Sequence, residues 1–207
     1  MEDKKTALII VDMQNDFCAG GSLAVGGSLE IIPIINELRK NAKFDYIART
    51  RDWHPQDHVS FGSNHPGEAL FSQITIAETG HPQVMWPDHC VQGSTGAEYH
   101  KELVLVDSDG EVLKGQSKMI ESYSGFGDYG EDTGLKQLLN DRNVGTVYCC
   151  GLALDYCVGS TAVSAAQAGF KTLIFSDATK SVAPESEAAM LEKIAENKIE
   201  MVKVADL

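Results

Sequence analysis

The chain has no CxxC pair among its five cysteines, no hydrophobic run long enough for a membrane span, and few basic residues. Each absence removes a class of function. Without paired cysteine spacing there is no structural zinc ribbon, and five is an odd number for a disulfide framework, so free thiols in a reducing compartment are expected. Seventeen Lys and Arg against thirty Asp and Glu leave a net charge of −13, the wrong sign for a nucleic-acid or anionic-membrane partner. The apolar run Ala7 to Val11 follows Glu2 and Asp3 and is too short for a leader or a span. These features place the chain in the cytoplasm, acting on a small molecule, with no nucleic acid and no membrane as partner. Self-association into a homo-oligomer stays open.

What is present suits one domain over residues 1–207, because 207 residues at 43% hydrophobic content can bury a sizeable core. Runs rich in β-branched and apolar residues recur at Ala7–Met13, Tyr46–Thr50, Glu111–Lys114, Thr146–Leu152, Thr172–Ser176 and Glu200–Val204. Helical spacing falls between them: Leu29, Ile32, Ile35 and Leu38 behind Ser28 as a cap, then Leu135–Asn140, Val158–Ala168 and Ser186–Asn197. Strands alternating with helices predict a three-layer α/β/α sandwich around a mainly parallel sheet, Rossmann-like in its winding. Between Thr50 and Gln116 periodicity is lost, and all six histidines lie there. A stretch so long and irregular inside a domain is expected to carry function.

In such sheets the site lies beyond the carboxyl ends of the strands. Asp12, Lys114 and Cys157 each follow a different predicted strand there. Taken singly, each is an ordinary residue: a turn Asp, a solvated Lys, a core Cys. Their shared placement predicts one catalytic set, with Cys157 as nucleophile, Asp12 as general base and acid, and Lys114 holding Asp12 ionised and oriented. A position near a helix N-terminus, beside an ammonium, predicts a Cys157 thiol lowered toward neutrality. The N–H groups of Ala153 and Cys157 are candidate oxyanion donors. Cys149 and Cys150, inside an apolar run, read as small core residues.

Asp52 and His54 stand two apart at the end of the second predicted strand, and His89 lies across the loop in Trp86-Pro87-Asp88-His89-Cys90. A carboxylate with imidazoles suits one divalent ion, zinc first, with iron or manganese also suited. His58 is the weaker candidate, as fourth ligand or outer donor. His65, His81 and His100 read as local hydrogen-bonding residues.

The motifs Val11-Asp12-Met13-Gln14-Asn15-Asp16-Phe17, Gly20-Gly21-Ser22-Leu23, Thr50-Arg51-Asp52-Trp53-His54-Pro55 and Trp86-Pro87-Asp88-His89-Cys90-Val91 come in that order. They are followed by Lys114-Gly115, Tyr123-Ser124-Gly125-Phe126 and Gly151-Leu152-Ala153-Leu154-Asp155-Tyr156-Cys157-Val158. From about residue 7 to the C-terminus the chain resembles the nicotinamidases of the isochorismatase-like cysteine hydrolase superfamily. The resemblance implies hydrolysis of nicotinamide to nicotinate and ammonia through a cysteine thioester, feeding NAD salvage. It implies catalysis by Asp12, Lys114 and Cys157, metal ligation by Asp52, His54 and His89 with water completing the shell, and a cis peptide before Ala153. It also implies a pyridine ring packed against Phe17 and Trp86, its nitrogen toward the metal. The rivals are ureido and carbamoyl amidases, for which the metal set would be idle, and a zinc-stabilised binding protein, which chelation would unfold.

Overall fold

The computed structural model describes residues 4–41 and 43–207; the acidic pair Glu2 and Asp3 lies outside the described residues. Strand β1 (Lys5–Val11) leads through helix α1 (Ser28–Asn41) to β2 (Tyr46–Asp52). A hairpin, β3 (Gln73–Thr75) and β4 (Pro82–Val84), interrupts the irregular stretch before β5 (Gly110–Lys114). Then come α2 (Leu135–Asn140), β6 (Val144–Leu152), α3 (Gly159–Gln167), β7 (Lys171–Lys180), α4 (Pro184–Glu196) and β8 (Glu200–Val202).

The main sheet has six strands in the order β5-β2-β1-β6-β7-β8, and every pairing in it is parallel. Alternation along β1 separates two cores. Ala7, Ile9 and Val11 face α2, α3 and α4 through Leu139, Ala162, Ala165, Met190 and Ile194. Leu8 and Ile10 face α1 through Ile31, Ile32, Ile35 and Leu38. Period-2 alternation on a sheet covered on both sides makes both sets apolar, which is why β1 reads as one continuous hydrophobic run. The expected three-layer architecture is therefore present.

Winding reverses between β1 and β6, so the chain diverges there and leaves a crevice at the strands' carboxyl ends. Gly151, at φ +111°, lies in that seam, and a Cβ on it would overlap the Val11 carbonyl. Only glycine lets the two central strands approach so closely.

Three local expectations need correction. Ser28 is the first residue of α1 rather than its cap, and its buried hydroxyl has no hydrogen-bond partner. The segment Leu154–Val158 forms a π-type turn ahead of α3, so the regular helix starts at Gly159, one residue later than expected. The β3–β4 hairpin has no sequence counterpart, because three-residue strands with exposed Gln73 and Thr75 show no alternation to detect.

Candidate active site

Asp12, Lys114 and Cys157 meet at the winding reversal. Asp12 follows β1 in the left-handed region (φ 46°), which turns its carboxylate into the crevice. Lys114 ends β5 and Cys157 lies in the turn after β6. All three are buried. The Lys114 ammonium lies 2.8 Å from Asp12 Oδ2 and 3.4 Å from Cys157 Sγ, donates to the Ser122 carbonyl (3.1 Å), and pairs closely with Asp52. Thr50, one strand over, donates its hydroxyl to Asp12 Oδ1 (2.6 Å). Oδ2 has no hydrogen bond beyond the ion pair, and a carboxylate oxygen of Asp12 stands within 4.8 Å of the sulfur, in reach of its proton.

Burial pushes the Asp12 carboxyl up to about 6, with Lys114 opposing and Asp52 adding. Burial pushes Asp52 the same way, but Lys114, His54 and His89 outweigh it and hold Asp52 well below the usual carboxylate range. Lys114 stays charged: burial disfavours its ammonium, yet the two carboxylates raise it well above its ordinary value. The expected lowering of Cys157 is overturned. Burial drives the thiol well above its usual value, Lys114 pulls it down, and Asp12 and Asp52 push it up again. The sequence shows the neighbouring lysine but not full desolvation or two carboxylates at the sulfur.

Beside this set stand Asp52, His54 and His89, with ligand atoms within 4.8 Å of one another. Each imidazole is oriented from its far side: His54 Nδ1–H donates to the Gly115 carbonyl and His89 Nδ1–H to the Pro87 carbonyl, both at 2.8 Å. That leaves both Nε2 atoms facing Asp52 Oδ2, at 3.5 and 3.9 Å. His54 Nε2 is buried with no hydrogen-bond partner, the condition of a ligand awaiting a cation. Gly115 (φ +63°) allows this packing, since a Cβ there would collide with the His54 ring. Gln14 clamps the Asp52 backbone, accepting from its N–H and donating to its carbonyl, both at 2.8 Å.

His58 stacks on His54 (centroids 4.0 Å apart), but its Nε2–H donates to the Ile120 carbonyl (3.0 Å) and its Nδ1 faces Ser60 Oγ (2.8 Å). Both nitrogens thus have partners, and one of them also lies within 4.8 Å of ligand atoms of His54 and Glu121. Glu121, which the sequence reading missed, puts a buried carboxylate 4.0 Å from His54 Nε2. Two buried carboxylates, Asp12 and Asp52, thus face the Lys114 ammonium, and a third, Glu121, faces His54, a donor set of carboxylates and imidazoles that suits a divalent cation. His65 donates locally to the Val59 carbonyl, and His81 stacks on Tyr129.

A mainly apolar cleft opens between the two sets. Phe17 and Trp86 line it, as do Ala153, Cys157, Asp52 and His89. Tyr123 and Tyr156, not singled out as substrate contacts in the sequence, add two more aromatic walls. Trp86 is fixed by its indole N–H donating to the Tyr123 hydroxyl (3.0 Å) and by an edge contact with Tyr156. The Leu152–Ala153 peptide is cis, as the resemblance implied. The Ala153 carbonyl accepts from the N–H groups of Tyr156 and Val158, which ties the turn carrying Cys157 to the end of β6.

The chain as a whole has counterparts among known proteins. The chain is 46% identical to a nicotinamidase of Acinetobacter baylyi over 178 residues, covering 85% of this chain and 81% of that protein. It is 37% identical to a nicotinamidase of Schizosaccharomyces pombe, covering 97% and 94%. Among solved structures, an Acinetobacter baumannii nicotinamidase/pyrazinamidase superposes with a TM-score of 0.92 at 38% identity over 100% of this chain and 99% of that one. A Pyrococcus horikoshii pyrazinamidase in complex with zinc gives a TM-score of 0.78 at 36% identity, covering 96% and 99%. A protein of L. infantum in complex with nicotinate gives 0.85 at 34%, covering 98% and 94%. The isochorismatase domain matches residues 6–206, from the first strand to the last turn, and the chain belongs to that family.

Proposed function

We propose that this chain is a nicotinamidase, a single hydrolase domain that converts nicotinamide to nicotinate and ammonia and so feeds NAD salvage. The observation that carries the reading is the Lys114 ammonium shared by Asp12 and Cys157 at one end of an aromatic cleft that also holds Asp52, His54 and His89. Nicotinamidase relatives at 37–46% identity and the nicotinate-bound L. infantum structure support the substrate.

The residues assign the steps. Cys157 rests as a thiol, so its proton passes to the Asp12 carboxylate as the sulfur attacks the amide carbon. The N–H groups of Ala153 and Cys157 receive the oxyanion. Asp12 then returns the proton to the departing nitrogen, the C–N bond breaks, and ammonia leaves a thioester on Cys157. Water, deprotonated by Asp12, opens the thioester to nicotinate and restores the thiol. Lys114 keeps Asp12 oriented and balances its charge throughout. Phe17, Trp86, Tyr123 and Tyr156 hold the ring and exclude water. Asp52, His54 and His89 would hold one divalent ion, zinc by analogy with the Pyrococcus structure and with iron or manganese also suited, and when bound it would supply a Lewis acid to the substrate. Five unpaired cysteines fit a cytoplasmic enzyme, and no described helix is long and apolar enough to cross a membrane.

Ammonia release from nicotinamide by the purified, metal-loaded protein tests the assignment. Absence of release, with ureido or carbamoyl amides hydrolysed instead, overturns the substrate while keeping the catalytic set.

Two further outcomes are expected. Chelation lowers turnover by at least about 10-fold while circular dichroism retains the folded spectrum, because the ion sits on preformed elements rather than building them. Full turnover in a sample shown by mass spectrometry to be metal-free removes the ion from the reaction. In a pH profile, kcat/KM reports the free enzyme, and a base must be ionised to work. With Asp12 near 6, activity falls as pH drops through about 6, or somewhat lower when a divalent ion on Asp52 adds positive charge. No loss from Lys114 follows on the alkaline side up to its ordinary range, since that group is raised. An acid limb centred above pH 7 rules out Asp12 as the base.

A further inference from the structure

Asp155 stands two residues before Cys157 in the same turn, 4% exposed, and plays no part in the steps above. Its carboxylate reaches across to the start of α4. It accepts the Val182 N–H on both oxygens (2.9 and 3.0 Å), the Ala183 N–H (3.1 Å) and the Ser186 hydroxyl (2.6 Å). Helix α4 has no side-chain cap of its own, since Ala183 occupies the cap position and Pro184 begins the helix. Asp155 therefore caps α4 from a distance of 28 residues in sequence, its oxygens taking the free donors at the helix start.

The same carboxylate holds one residue of the site directly and is linked to two more. Val182, which it holds by the backbone, lines the cleft. Ser186, which it also holds, meets the Tyr156 phenol, and Tyr156 forms the wall packed on Trp86 and Tyr123 at ring separations of 5.0 and 5.3 Å. Cys157 follows directly. A neutral amide cannot keep the whole set: with its oxygen at Oδ2 its NH2 would face the Val182 N–H, and with its oxygen at Oδ1 it would face the Ala183 N–H and the Ser186 hydroxyl as well.

We propose that Asp155 is a positioning residue for the hydrolysis. It locks the nucleophile turn to α4, so that Cys157 Sγ stays 3.4 Å from Lys114 Nζ and within reach of Asp12, with Tyr156 and Val182 set as the cleft walls. The inference rests on Cys157 being the nucleophile.

The test compares Asp155→Asn and Ser186→Ala with wild type as metal-loaded full chains. Active sites are counted by alkylation of Cys157, read by peptide mass spectrometry, and kcat is expressed per alkylatable site. Displacing a reacting atom by about 1 Å costs about 10²-fold, so Asp155→Asn is expected to lower kcat per site by about that factor, with KM nearly unchanged. Ser186→Ala, which removes one of the contacts, falls in the same direction by less. Wild-type kcat per site in both variants, with only the fraction of alkylatable sites reduced, overturns the proposal and leaves Asp155 a cap for α4. If Asp155→Asn does not fold, unchanged kcat per site in Ser186→Ala overturns it alone. Should wild type leave nicotinamide untouched, the functional reading fails separately, and the alkylation rate of Cys157 decides in its place: a rate equal to wild type in both variants overturns the positioning role.

Discussion

Cys157→Ala is expected to lower kcat for ammonia release by at least about 10⁴-fold, with metal content and melting temperature close to wild type. Removing the sulfur removes the proposed nucleophile, while the Lys114 ammonium keeps its pairs with Asp12 and Asp52. Trapping a thioester on Cys157 by rapid acid quench and mass spectrometry checks the same point on the wild-type protein. Residual turnover within 10²-fold of wild type would mean that water, not the thiol, attacks the amide. Because burial and two carboxylates raise the thiol, alkylation at neutral pH is expected to be slow and to quicken as pH rises. Inertness toward alkylation at neutral pH therefore does not argue against catalysis.

Lys114→Met is expected to cost both activity and stability. The ammonium is fully buried between two carboxylates, and removing one partner of a buried ion pair typically costs about 3–5 kcal/mol. For a chain of this size that is a fall in melting temperature of roughly 6–20 °C. The sign with pH is specific. Asp12 already lies above its unfolded value, and without Lys114 its folded-state value rises further. A carboxyl raised by folding is protonated more readily in the folded state, so the variant gains stability relative to wild type as pH falls and loses it as pH rises through the folded value. Thermal unfolding of both proteins between pH 5 and 8 measures this. A constant difference in melting temperature across that range would show that lost packing, not stranded charge, sets the cost. Activity falls in either case, since the ammonium that holds Asp12 beside the sulfur is gone.

Much of the fold was legible because its signals are local. The apolar run of β1 and the periodic leucines and isoleucines of α1 name their elements directly, and alternation of strand and helix names the parallel sheet. The hairpin β3–β4 escaped because short exposed strands carry no period. Within the site, Asp12, Asp52, His54, His89, Lys114 and Cys157 were found because each is a polar residue set against an apolar strand end or in a short ordered motif. Glu121, Thr50 and Gln14 were not, since nothing in the spacing of a glutamate in a loop or a threonine in a strand says which buried group it faces.

The amino-acid sequence alone determined the layers, the parallel winding and the residue types that gather at the strand ends, since these follow from chain period and local chemistry. Only the tertiary structure decided the electrostatics. It set Lys114 between two carboxylates, surrounded the Cys157 thiol with burial and carboxylates that raise it, turned both His Nε2 atoms toward Asp52, and gave Asp155 to a helix 28 residues away. The physical reason is that desolvation and Coulomb energy depend on which groups share a buried volume, a property of distances across the sheet that no spacing along the chain contains.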